Sequence, residues 1–158
     1  MKKRYIIMPT SLLVLIIFTI FLLNDSLSPY REARADAFTH AETYTPLKET
    51  NNYYHYNGNQ GPYLTVTGYD EKGKFIVAII EQNTGHIDLY GAEQVISEER
   101  AAQLFQEEMP GNEIKEIRIG KESGQSIWEI SYKTAENRMG YYYLSLENGT
   151  WLKTVDNL

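Results

Sequence analysis

No cysteine occurs in the 158 residues. That absence excludes a disulfide framework, a thiolate metal site, a cysteine nucleophile and a lipid-modified cysteine anchor. Histidine is scarce too: His40, His55 and His86 are the three, and no His-x-x-x-His spacing links them. His86 and Asp88 fall on one face of an expected strand, short of the three protein ligands of a catalytic zinc or the four of a structural one. There is no Gly-x-Ser-x-Gly elbow, no glycine-rich phosphate loop and no basic cluster. The carboxylate pairs Asp70-Glu71, Glu98-Glu99 and Glu107-Glu108 are sequence neighbours; adjacent residues on a helix do not face each other, so these pairs read as solvated faces. No catalytic, metal or cofactor-binding residue is therefore expected.

One long uncharged run is present: residues 5–23 read YIIMPTSLLVLIIFTIFLL. As a helix it would span about 28 Å at roughly 1.5 Å per residue, close to the hydrocarbon core of a bilayer. Lys2, Lys3 and Arg4 precede it, and Asn24 and Asp25 follow. The positive-inside rule then leaves the N-terminus in the cytoplasm and residues 24–158 outside. Ala33-Arg34-Ala35 has the small-x-small pattern of a signal-peptide cleavage site. It lies far beyond the apolar run, among charges, and the run is longer than a signal h-region, so an uncleaved single-pass membrane anchor is expected. Beyond residue 23 the chain keeps 12 of its 15 basic residues against all 21 acidic ones, a net charge of −9. That acidity disfavours nucleic acid as a partner.

Shifting the chain by 64 residues aligns its punctuation. Ala37 falls on Ala101, Pro46 on Pro110, Glu49 on Glu113 and Gly85 on Gly149, and residues 63–67 fall on 127–131. In the second copy Ser97 is an N-cap with Glu98 and Glu99 at the positive end of a helix. Ala101, Leu104 and Phe105 follow at helical spacing, and Met109-Pro110-Gly111 stops it. Extended runs are expected over 113–121, 126–133, 141–146 and 150–155, the last pair joined by a tight turn at Glu147-Asn148-Gly149. In the first copy Ser28-Pro29 starts a helix whose stripe is Tyr30, Ala33, Ala37, Ala41 and Tyr44, stopped by Pro46. Strands are expected over 52–56, 63–69, 75–81 and 86–90. Each copy thus predicts one helix on an antiparallel meander, an α+β layer pair. A unit of such length is marginal alone, so the two should pack together, with residues 91–96 as a short linker.

Ile96 through Ala102 resembles the opening helix of the PepSY domain, Trp128-Glu129-Ile130-Ser131-Tyr132 its central strand, and Leu144 through Gly149 its closing strand and turn. Tandem copies behind one membrane helix, without cysteine, resemble the TseB-like group of Gram-positive bacteria, described as regulating cell-wall elongation. The resemblance implies an α+β fold of two tandem cystatin-like PepSY units behind an N-terminal transmembrane helix: 1–23 as cytoplasmic tip and anchor, 24–90 as first unit and 91–158 as second. It also implies a non-catalytic, extracytoplasmic binding and regulatory protein acting on the cell-wall synthesis machinery, with an envelope protein such as a penicillin-binding transpeptidase as partner. Because PepSY domains also occur in propeptides, an inhibitor or propeptide-like regulator of an exported peptidase is the alternative. One departure concerns the last turn, where the family carries Asp four residues before the Gly. Glu81 and Ser145 stand there, and glutamate is expected to cap such a turn poorly.

Tyrosine is abundant, at thirteen residues. Strand alternation sends Tyr142 with Leu144 to the core and Tyr141 with Tyr143 to the opposite face. Tyrosine combines large contact area with a polar tip and suits protein interfaces. Tyr141 and Tyr143, with Tyr53 and Tyr63 from the first unit, are therefore the expected partner-binding residues. The competing reading of that face is a seam between the two units.

Overall fold

The structure, a computed structural model, describes residues 13, 15–19 and 31–156. Two compact units divide the chain, residues 1–36 and 37–158. In the first, residues 13 and 15–19 are helical, and Leu13, Leu15, Ile16, Ile17 and Phe18 are exposed. Most of the apolar run and the Ser28-Pro29 start lie outside the described residues, and so do the expectations placed on them. Among the described residues no helix is long and apolar enough to cross a membrane.

Helix α1 covers residues 31–44, of which 37–44 belong to the second unit. After it come β1 (Leu47–Gly58), β2 (Gly61–Asp70), β3 (Phe75–Glu81) and β4 (Ile87–Gly91), then a single 3₁₀ turn at Ala92–Gln94. The second half repeats the order as α2 (Glu98–Glu108), β5 (Glu113–Glu122), β6 (Gln125–Lys133), β7 (Met139–Ser145) and β8 (Trp151–Val155). The strands form two four-stranded antiparallel meanders, β1-β2-β3-β4 and β5-β6-β7-β8. At an offset of 64 residues, β3 and β4 fall on β7 and β8 without a residue's difference. The last turns also match: Gly85 and Gly149 have φ of 74° and 71°, a left-handed conformation that costs glycine little.

Each sheet buries one face under its helix. On the first, Ala37 and Ala41 of α1 pack with Leu47, Leu64, Val66, Ala78 and Ile80. On the second, Ala101 and Phe105 of α2 are fully buried, and the Phe105 ring meets Tyr132 and Tyr142 at centroid distances of 5.1 and 5.3 Å. Small residues at one helical spacing let each helix approach its sheet closely, while the strand alternation supplies the larger side chains. Ser97 Oγ accepts from the Arg100 N–H at 3.2 Å, which caps α2 as its sequence predicts.

The other face of the first sheet is apolar as well, and it joins the second half. Tyr56, Tyr63, Val77 and Ile79 share one core with Ile119, Ile127, Trp128 and Ile130. The Thr65 hydroxyl donates to the Ile119 carbonyl of β5 at 3.1 Å, and the Lys121 ammonium pairs with Asp88 at 2.6 Å. Asn59 and Ser123, equivalent turn residues, hydrogen-bond each other twice, at 3.0 and 3.2 Å. Contact here is close enough that a Cβ on Gly120 would lie 2.2 Å from Tyr56 Cγ. The expected helix and strand order is therefore present, and residues 37–158 form one compact unit because the two sheets share a core.

Candidate functional site

The four tyrosines singled out by sequence do not gather into one patch. Tyr63 is 2% exposed and sits in the core between the sheets, so its ring fills space there rather than meeting a partner. Tyr53 pairs with Val66 across the ladder, which puts it on the α1 side of the sheet, and its ring edge meets Phe38 at 6.1 Å. Tyr141 and Tyr143 do share a face, the side of the second sheet away from α2, with ring centroids 6.5 Å apart. Tyr141 is half-buried. Tyr143 is 8% exposed and packs into the core, and the Lys153 ammonium lies over its ring at 4.4 Å.

Beneath these rings is a buried carboxyl, Glu129, only 6% exposed. It stands opposite Arg118 on β5 and Tyr143 on β7. Burial raises its pKa; the Tyr143 hydroxyl, which hydrogen-bonds it, and the Arg118 guanidinium pull the other way without reversing the shift. Arg118 lies 3.7 Å from Glu129 and also pairs tightly with Glu116. Glu122 borders the same face and accepts from Lys153 Nζ at 2.7 Å, the Tyr56 hydroxyl at 3.1 Å and the Asn59 N–H at 3.3 Å. Burial pushes the Glu122 carboxyl up, but those three donors hold it below its ordinary range. A shallow cavity of about 230 Å³ opens between Tyr56, Asn57, Arg118, Glu129 and Tyr141.

This face offers aromatic rings, the Arg118 guanidinium, the Lys153 ammonium and several carboxyls, groups suited to holding a protein surface. Sequence reading missed Glu129, Arg118 and Tyr56. In SIWEISYK, Glu129 alternates with apolar residues and reads as an exposed polar position. Its burial comes from Tyr143 on the neighbouring strand and from Tyr56, whose own pKa Glu129 helps to raise after the larger effect of burial. The 64-residue offset places Glu129 on Thr65, a polar position that the structure likewise buries.

The histidines stay apart. His40 packs on Tyr44 at 4.6 Å, His55 is exposed on β1, and His86 reaches Asp88 at 3.3 Å. Among the described residues no group of three or more His, Cys, Asp or Glu is placed to hold a metal. At the first copy's last turn, the Glu81 carboxylate accepts from the Thr84 hydroxyl at 2.8 Å while Thr84 Oγ accepts from the His86 N–H at 3.2 Å. Glutamate thus acts on that turn through a threonine rather than on the backbone.

Fold and face together define an α+β protein of repeated helix-and-meander construction with an aromatic, charged sheet face. Residues 36–81, from the middle of α1 through β3, match the sequence profile of the cell wall elongation regulator TseB-like domain. A curated relative, described as the probable cell wall elongation regulator TseB of Bacillus subtilis (strain 168), is 28% identical over 94 residues. That match covers 59% of this chain and 58% of the relative's own length. A solved structure, the YpmB protein from Bacillus subtilis, superposes with a TM-score of 0.68 at 24% identity, over 77% of this chain and 95% of that one, a likeness of fold. These matches support a relationship to the TseB-like family. The profile falls on the first half, whereas the motifs that suggested the family from sequence, at 96–102, 128–132 and 144–149, lie in the second.

Proposed function

We propose that this protein is a non-catalytic, membrane-anchored regulator of cell-wall synthesis, held by residues 5–23 with its C-terminal part outside the cell. In this reading each helix-and-meander is a PepSY-like, cystatin-like unit, and the partner is an envelope protein, by family analogy a penicillin-binding transpeptidase. Support comes from the TseB-like match and from the regulator's description carried by the relative. The observation that carries the binding role is the Tyr141 face. In the first sheet the corresponding face, with Val77 and Ile79 at the positions of Tyr141 and Tyr143, is apolar and covered by the second half. In the second sheet it bears tyrosines, Arg118 and a buried carboxyl. Aromatic and arginine side chains of this kind supply most of the energy of interfaces.

Tyr141→Ser in the full chain tests it, because Tyr141 is half-buried while Tyr143 is part of the core. Crosslinking from membranes of the native host should lose the partner at an unchanged melting temperature; capture at wild-type yield would place the docking surface elsewhere. Protease added to intact protoplasts should leave a short membrane stub, and a released soluble chain beginning after Ala35 would refute the anchor.

A further inference from the structure

A second cavity lies on the other side of the second sheet, away from Tyr141. It measures about 290 Å³ and opens between the first sheet and the segment that starts α2. Tyr54, Phe75 and Val77 form an apolar stretch on one side and Trp128 on the other, while Asn51, Asn52 and Thr67 add polar groups to the lining. The Trp128 ring stands edge-on to Tyr54 at 6.2 Å and is fixed by its indole N–H, which donates to the Ile96 carbonyl at 3.2 Å. The rim is acidic. Among the described residues lining the cavity, Glu98 and Glu99 are the charged ones. Glu98 accepts from the Tyr54 hydroxyl at 2.8 Å. Glu99 is exposed, and its hydrogen bond to Ser97 holds its carboxyl below the ordinary range. The positive end of α2 offsets about half a charge, so two carboxylates leave the rim net negative.

We propose that this cleft binds a partner peptide segment presenting an apolar side chain beside a lysine. The apolar residue would fill the space between Phe75, Val77 and Trp128, and the ammonium would lie at Glu98 and Glu99. Charge selects the cation: an anionic group there meets like charge, which costs binding and rejects wrong partners. An ammonium near the Tyr54 and Trp128 rings gains cation–π attraction as well. Size sets the segment's length, since 290 Å³ sits at the low end of the roughly 300–1,000 Å³ of small-molecule pockets and suits one or two side chains. This site is independent of the Tyr141 face and of the regulatory reading.

Trp128 is the natural reporter. The chain has two tryptophans, and the other, Trp151, is 56% exposed on the edge strand β8, so Trp151→Phe isolates the signal. The full chain carrying that substitution, in lipid nanodiscs, is titrated with acetyl-Phe-Lys-amide and acetyl-Phe-Glu-amide while indole emission is followed. The lysine peptide should give a saturable change, with affinity at least about tenfold above the glutamate peptide, a difference of about 1.4 kcal/mol. Glu98→Gln with Glu99→Gln should erase that preference. Independently of how the double variant folds, salt near 1 M, where the Debye length is about 3 Å, should weaken the lysine peptide alone. Equal affinity for the two peptides, no saturable response to either, or a lysine preference insensitive to salt would overturn the proposal.

Discussion

Trp128→Ala and Leu64→Ala strike equivalent positions, 64 residues apart, each facing the helix of its own sheet. Trp128 is 3% exposed and Leu64 6%. Trp128→Ala removes the indole between α2, Tyr54 and the Ile96 carbonyl, and buried Trp→Ala changes cost about 3–5 kcal/mol. Leu64→Ala empties a site over Ala37 and Ala41 and should cost about 2–5 kcal/mol, toward the low end because helix and sheet can close over a small gap. For a unit the size of residues 37–158, each kcal/mol shifts the melting temperature by about 3–5 °C. Trp128→Ala should therefore lower it by about 10–25 °C. Since Tyr56, Tyr63, Val77 and Ile79 share one core with the second sheet, both substitutions should move a single transition. Thermal unfolding of the full chain followed by backbone circular dichroism reads this. Two separable transitions, with Leu64→Ala moving one and Trp128→Ala the other, would refute the shared core.

Two further expectations follow from the Glu129 face. Glu129 has a raised pKa in the folded chain, chiefly through burial, so below the ordinary carboxyl pKa it costs nothing. Stability is lost as pH rises from that range through the raised value. Glu129→Gln should thus gain stability over wild type across that interval and stay more stable at neutral pH, Glu116 keeping Arg118 paired. Comparing the two proteins cancels carboxyls such as Glu116 and Glu122, whose lowered pKa values make stability fall as pH drops; a pH-independent difference would show that Glu129 is not the titrating group. Gly120→Ala places a methyl against the Tyr56 ring and should cost about 1–3 kcal/mol by overpacking. A denaturant midpoint unchanged from wild type would mean that the ring moves aside freely.

Much of the fold was legible because its signals are local. Ser97 caps α2, β3 spans the predicted residues, and Trp128, Ile130 and Tyr132 alternate onto one face as a pleated strand requires. The offset of 64 anticipated that both halves carry the same elements, since turn glycines and helix alanines are fixed by backbone geometry and close packing. Strand ends were less legible: β1 runs from Leu47 to Gly58, well past the expected 52–56, because pairing with β2 holds polar residues that carry no strand signal of their own.

The sequence by itself determined which side chains face which way along each strand, and so placed Tyr141 and Tyr143 together. It left open how deep each lies. Only the tertiary structure decided that Tyr63 is core, that Tyr143 is covered by Lys153 and that Glu129 is buried. Alternation divides a strand into two faces, but what covers a face comes from residues far along the chain. Tyr56 reaches the second sheet because the first sheet's outer side receives β5. That docking is a contact between halves, which no local pattern encodes.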